Sequence, residues 1–443
     1  MSFNALKEKG LSLDKQLRNW HLISRKPYNK NKIDCYSRTR QILMNGIEIE
    51  AWNFKHAFSR LCPDNDLCKT IAMMRRIEDQ QQTTINWLAP KDQSVLETTL
   101  AYEQVAVDLT AWLAQNETDK YVKDTFDFGL LEDFDHLYRY AQWAYMEEGI
   151  CPNDIVQNKT DIIVGRPTQH HHNCNALRIR KPYDKTKTSP QTKVNILTVV
   201  SAEQQTHNYY AEHGFAYGNH TLRETYAEIK DVEEEHVTMY ESLIDPKETL
   251  LEKLLIHEFC EVCNYYTCVE DETDNEMKKI WEFMLDVELG HLQIAADLFK
   301  KHENKDPEEI IGEEIIIPSR FQSQKDYVEE ILTTQVDTRL GVDKNYSKIK
   351  DLPQDWISYD IQRKANELGS PTESTISIIS EHIGRDIVCA DDKLKEKEII
   401  ILSKGLQKQA LAPDTVYPES LEEKIRDYEK NQKIKEKLEK EIY

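Results

Sequence analysis

Three histidines in this chain each stand three residues after an acid: His136 after Asp133, His236 after Glu233 and His291 after Glu288. Each also has a glutamate 33 positions before it, namely Glu103, Glu203 and Glu258. This recurrence constrains the fold more tightly than any other feature. Residues i and i+3 lie on one face of an α-helix, so an acid-x-x-His pair can aim both groups at one locus. A helix rises about 1.5 Å per residue, so about 14 residues to a turn and about 13 back return the acid to the level of the first glutamate. Chain breaks fall where this count needs them, near 118, 217 and 273. Each copy therefore reads as a helical hairpin with one Glu and one acid-x-x-His pair at mid-height. The last two copies agree further, with Asp231-Val232-Glu233 and Asp286-Val287-Glu288 lying 55 residues apart.

Apolar neighbours surround these acids. Ile229, Val232, Val237, Met284, Leu285, Val287, Leu292 and Ile294 place them on faces that read as buried. A buried carboxylate is costly unless it is paired or bound to a metal. Two such hairpins facing each other would supply four carboxylates and two imidazoles. Thirteen Gly and fourteen Pro in 443 residues are few, which disfavours a turn-rich β architecture and suits long helices.

This ligand pattern resembles the ferritin-like di-iron and di-manganese carboxylate proteins, over about residues 95–303. The resemblance implies an all-α fold, a ferritin-like helical bundle built here from three long hairpins with helical N- and C-terminal segments. It implies metal ligation by Glu203, Glu233, His236, Glu258, Glu288 and His291, and by Glu103, Asp133 and His136, where Asp replaces the usual Glu. Iron, as a di-iron centre, or manganese suits hard carboxylates mixed with imidazole. The expected activity is a dioxygen-dependent oxidase or oxygenase on an organic substrate, with dioxygen or peroxide and a reductant as partners. Iron storage or protection against oxidative stress is the alternative, and a metal-free helical scaffold is a third reading. The family joins its two hairpins by a long crossover, and here only the first two are so joined. Topology thus pairs hairpins one and two, ligand identity pairs two and three, and convergence of all three stays open.

Four regions are expected: an N-terminal segment over 1–68, irregular or partly helical to about 60; a metal-binding bundle over 69–303 with a crossover at 148–192; a C-terminal helical region over 304–418; and a charged terminal helix over 419–443. Within the bundle, one helix is expected from Val194 to about Tyr217, and Thr221 with Glu224 stands in capping-box register. His207, one turn past Glu203, reads as a packed or exposed histidine before an added ligand. Tyr140 and Tyr240 follow their motif histidines by four residues and could hydrogen-bond to ligands, with packing as the default. Cys260-x-x-Cys263 has no second pair, so a zinc ribbon is not expected. The run His170-His171-His172 with Cys174, and the basic stretch Arg178 to Lys187, read first as solvated loop.

A formal net charge of −22 repels phosphate backbones, so nucleic acid is not an expected partner. The chain has no run of about 18 apolar residues, and the opening MSFNALKEKG has no apolar signal core. Nine cysteines, an odd number, fit reduced thiols. Cytoplasmic residence without membrane contact, and a homodimer among the assemblies, complete the expectation.

Overall fold

The computed structural model of the chain describes residues 3–341 and 343–383. The fold is all-α. Among the described residues the only strands are a short antiparallel pair, Thr338–Leu340 with Tyr346–Lys348. Eight long helices form four hairpins: α1 (Cys35–Leu61) with α2 (Asn65–Asn86), α3 (Val95–Asn116) with α4 (Lys120–Glu148), α5 (Pro190–His213) with α6 (His220–Glu241), and α7 (Leu250–Asp271) with α8 (Asn275–Glu303). The N-terminal segment, expected to be irregular or partly helical, is partly helical, and its later part joins the bundle. Residues 35–61 are one continuous helix and belong to a fourth hairpin. Polar and basic residues interrupt its apolar face, which hid its periodicity. The terminal region over 419–443 lies outside the described residues.

The second helix of every hairpin starts at a side-chain cap. Asp64, Asp119, Asn219 and Asp274 each accept hydrogen bonds from the first-turn amides that helix geometry leaves unpaired. Each cap stands 14 residues before the acid at mid-helix, Glu78, Asp133, Glu233 or Glu288. That constant distance, about 21 Å of helix, levels the four acids. Ser94 and Thr249 close complete capping boxes with Glu97 and Glu252. Thr221 and Glu224 form no such box, because the chain enters α6 two residues earlier, at Asn219. Helix α5 spans Pro190–His213 instead of reaching Tyr217.

The chain is a tandem duplication. Contacts recur with every residue number shifted by 155, raised for a residue of the first part and lowered for one of the second. Tyr28 N–H donates to the Leu88 carbonyl at 2.9 Å, and Tyr183 N–H to Leu243 at 2.8 Å. Leu11 N–H donates to Asp286 at 2.7 Å, and Arg166 N–H to Leu131 at 2.8 Å. Lys30 pairs with Glu97 at 2.9 Å, and Lys185 with Glu252 at 2.5 Å. Glu117 accepts from the Thr118 and Asp119 amides and binds Thr192 and Asn195, while Glu272 accepts from the Thr273 and Asp274 amides and binds Ser37 and Arg40. The segment before α1 is therefore the counterpart of the crossover before α5. The matching strings Arg25-Lys26-Pro27-Tyr28 and Arg180-Lys181-Pro182-Tyr183 carry this in the sequence.

Helices α1 and α5, each other's counterparts, cross at the centre and contact each other extensively. Gly46 and Ser201 are equivalent positions at that crossing, where a Cβ on Gly46 would stand 2.7 Å from the Ser201 carbonyl oxygen. A side chain at 46 would force the two helices apart. The hairpins then pair across the halves: α3/α4 packs with α5/α6, and α7/α8 with α1/α2.

Glu272 illustrates how the halves are joined. Its carboxylate is buried against Ser37, Arg40 and Trp281. Burial raises its pKa, but the Arg40 guanidinium and these donors overcome that and hold it below the ordinary value. A carboxyl lowered in this way stabilises fully above its unfolded pKa, about 4.3, and the contribution is lost as pH falls through the folded value. Glu272→Gln is therefore expected to cost about 1.5–3 kcal/mol near pH 7. In urea unfolding the gap to wild type should narrow below about pH 4.

Candidate metal centre

The pairing of α3/α4 with α5/α6 brings six of the nine sequence-derived ligands to one buried locus. Glu103, Asp133, His136, Glu203, Glu233 and His236 are all 2% exposed or less. They form two overlapping groups, Glu103–His136–Glu233 and Asp133–Glu203–Glu233–His236, whose ligand atoms lie within 4.8 Å of one another in each group. Glu233 belongs to both. The other three, Glu258, Glu288 and His291, come together in a second centre with α1 and α2.

In the first centre His136 Nδ1 lies 2.9 Å from Glu233 Oε1. His236 Nδ1 lies 3.2 Å from Asp133, 3.3 Å from Glu233 and 3.6 Å from Glu203, with hydrogen-bond geometry to none of them. Both oxygens of Asp133 and of Glu203, Oε2 of Glu103 and Oε2 of Glu233 likewise have no hydrogen-bond partner. Leaving so many buried polar atoms unpaired is costly, and a native structure rarely does so without a further ligand. The unpaired atoms are the ones a pair of cations would engage, so the residues present fit a di-metal centre.

Electrostatics agrees. Burial and the neighbouring Glu203 push Glu233 up to about 8 and Asp133 up to about 7. Burial, with the Glu233 carboxylate nearby, also raises Glu103 well above its ordinary value. Four carboxyls of like charge cannot all ionise together without cations among them.

A polar scaffold surrounds this centre. His236 Nε2 bonds Glu132 at 2.6 Å, which fixes the ring so that Nδ1 faces the carboxylates. Glu132 is held in turn by His171 Nδ1 at 2.5 Å and Arg178 at 3.3 Å. Burial opposes its charge, yet Arg178 and His171 hold it well below the ordinary range. Arg178 also pairs with Glu235 at 2.5 Å, and His172 with Glu228 at 3.3 Å. The crossover is thus no solvated loop in this part. Arg178, His171 and His172 are buried against the outer acids of α4 and α6, and Arg180 is buried with its guanidinium donating to the Leu177 and Arg178 carbonyls.

Tyr210 donates to Glu103. The hydroxyls of Tyr140 and Tyr240 are buried without partners, so the tyrosine that touches a ligand is one sequence spacing did not single out. His207 turns away to the Lys230 carbonyl at 3.3 Å. Cys260 and Cys263 are buried free thiols, and Cys260 packs on Thr198 and Asn264.

The second centre holds positions the sequence pattern missed. Glu48, Glu78 and Gln81 on α1 and α2 repeat the motif spacing, 33 residues from Glu48 to Gln81, with an amide in place of the imidazole. Glu48 stands 55 residues before Glu103, the same step that separates Glu203 from Glu258, and this was the available signal. Lys55 and Glu261 complete that centre.

Comparison with protein families, curated proteins and solved structures found no match. Function therefore has to be argued from the site alone. No helix among the described residues is long and apolar enough to cross a membrane.

Proposed function

We propose that the chain is a di-metal carboxylate protein of the ferritin-like kind that uses iron or manganese for dioxygen-dependent oxidation. The observation that carries this is the pair of ligand groups sharing Glu233, with their inward-facing atoms unpaired. Glu103 and His136 would hold one ion, Asp133, Glu203 and His236 the other, and Glu233 belongs to both groups. Hard carboxylates with one imidazole per ion suit iron or manganese. Such a pair supplies oxidising power from dioxygen or peroxide and needs an external reductant.

The chain's own residues do the rest. Glu132, His171 and Arg178 hold His236 in one orientation, and Tyr210 holds Glu103. Leu100, Val107, Leu137 and Ile229 are fully buried on the ligand-bearing helices and exclude bulk water. A cavity of about 180 Å³ between α1, α5, α6 and α7 has Phe54, Gln204, Val237 and His257 in its wall and none of the six candidate ligands.

The test is loading of purified full chain with Fe(II) or Mn(II) without oxygen, followed by metal analysis and exposure to air. About two ions per chain and prompt dioxygen uptake are expected, since one ligand group serves each ion. A chain that retains neither metal would sink the reading. Binding without dioxygen uptake would sink the oxidase part alone.

A further inference from the structure

The second centre is the duplicate of the first, and the residue-by-residue match shows what changed. Glu48, Glu78, Glu258, Glu288 and His291 correspond to Glu203, Glu233, Glu103, Asp133 and His136. Tyr265 and Gln16, which touch Glu48 and His291, stand for Thr110 and His171, and three further positions at the heart of the centre differ in kind. Lys55 stands for Tyr210, Gln81 for His236, and Glu261 for Ala106.

Lys55 lies two turns along α1 from Glu48 and is 0% exposed. Its ammonium touches Glu78, lies 2.6 Å from Glu258 and 3.5 Å from Glu261. Glu78, Glu258 and His291 are the counterparts of Glu233, Glu103 and His136, one complete ligand group of the first centre. The ammonium therefore sits among the residues that would hold one ion. At the other position Glu48, Glu261 and Glu288 bring carboxylate oxygens within 4.8 Å of one another, and Gln81 Nε2 donates among them, to Glu48 at 3.2 Å and to Glu288 at 2.8 Å. Tyr265 donates to Glu48 as well, and Gln16 accepts from His291 Nε2 at 2.9 Å.

We propose that this second centre takes no metal, because Lys55 is its built-in cation and the Gln81 amide fills the place of the second ion. The chain then carries one metal centre and one self-filled copy that only holds helices together. This rests on reading the first centre as a metal site. An ammonium and a divalent ion cannot share the same carboxylates, since at about 3 Å like charges in a buried site repel strongly. An amide nitrogen is not a metal ligand, whereas the imidazole it replaces is.

Metal analysis of the full chain, loaded with Fe(II) or Mn(II) without oxygen, tests this on three proteins. Wild type and E258Q/H291Q should hold the same metal, about two ions per chain. The variant K55Y/Q81H/E261A, which installs the first centre's residues in the second, should rise about twofold. Loss of metal in E258Q/H291Q, or about four ions in wild type, would overturn the proposal, as would a folded triple variant with no gain. If the triple variant does not fold, the comparison of wild type with E258Q/H291Q decides. An empty wild type beside a triple variant that gains metal would instead refute the reading of the first centre and leave the role of Lys55 standing.

Discussion

Lys55→Met is expected to destabilise the protein by about 3–5 kcal/mol, the usual cost of removing one partner from a buried ion pair. Methionine is unbranched and only one heavy atom shorter than lysine, so the loss is chiefly electrostatic and leaves little cavity. Glu78, Glu258 and Glu261 would then face one another with only the His291 imidazole, 3.6 Å from Glu78 and 3.8 Å from Glu258, beside them. Even beside Lys55, burial pushes Glu78 up to about 7, and burial with the Glu288 charge raises Glu261 well above its ordinary value. Without the ammonium Glu78 and Glu261 must hold protons in the folded chain. A carboxyl whose folded pKa is raised destabilises the fold progressively as pH climbs above its unfolded pKa, about 4.3, until the folded value is passed. The deficit in urea midpoint should therefore be larger at pH 8 than at pH 5. Adding E78Q and E258Q to K55M should recover part of it. A K55M protein as stable as wild type at pH 8 would show that Lys55 carries no such role.

Glu233→Ala should abolish metal binding outright, whereas Glu103→Ala and Glu203→Ala should each remove about one ion. The reason is topological: Glu233 belongs to both ligand groups, and each of the other two belongs to one. Metal-free Glu233→Ala should lose little stability, because burial and Glu203 already oppose its charge. What should vanish is the stabilisation that metal confers, about 2.7 kcal/mol per site when free metal is a hundred times Kd. Thermal unfolding with and without metal reads this directly. Equal losses in all three variants would argue against a shared ligand.

Much of the site is legible in the sequence because helix geometry converts spacing into position. The 33-residue separation and the capping residue 14 positions before each acid set the height of every ligand. Nothing tertiary is needed for that. The fourth hairpin was hidden for a chemical reason: its motif ends in Gln81 where the others end in His, and its mid-helix lysine breaks the apolar pattern. Glu132, His171 and Arg178 were hidden because their partners lie 39 or more residues away and carry no fixed spacing.

The recurrent Glu and acid-x-x-His pattern thus determined, by itself, an all-α chain of hairpins with acids and imidazoles level at mid-bundle. Local geometry and periodicity suffice for that, since both act within one hairpin. Which hairpins meet was decided only by the tertiary structure. Each centre takes one hairpin from each half of the duplication, because α1 and α5 cross at Gly46 and draw their neighbours together across the halves. That crossing also set the fates of two centres built on one pattern, by placing Lys55 among the acids of the second.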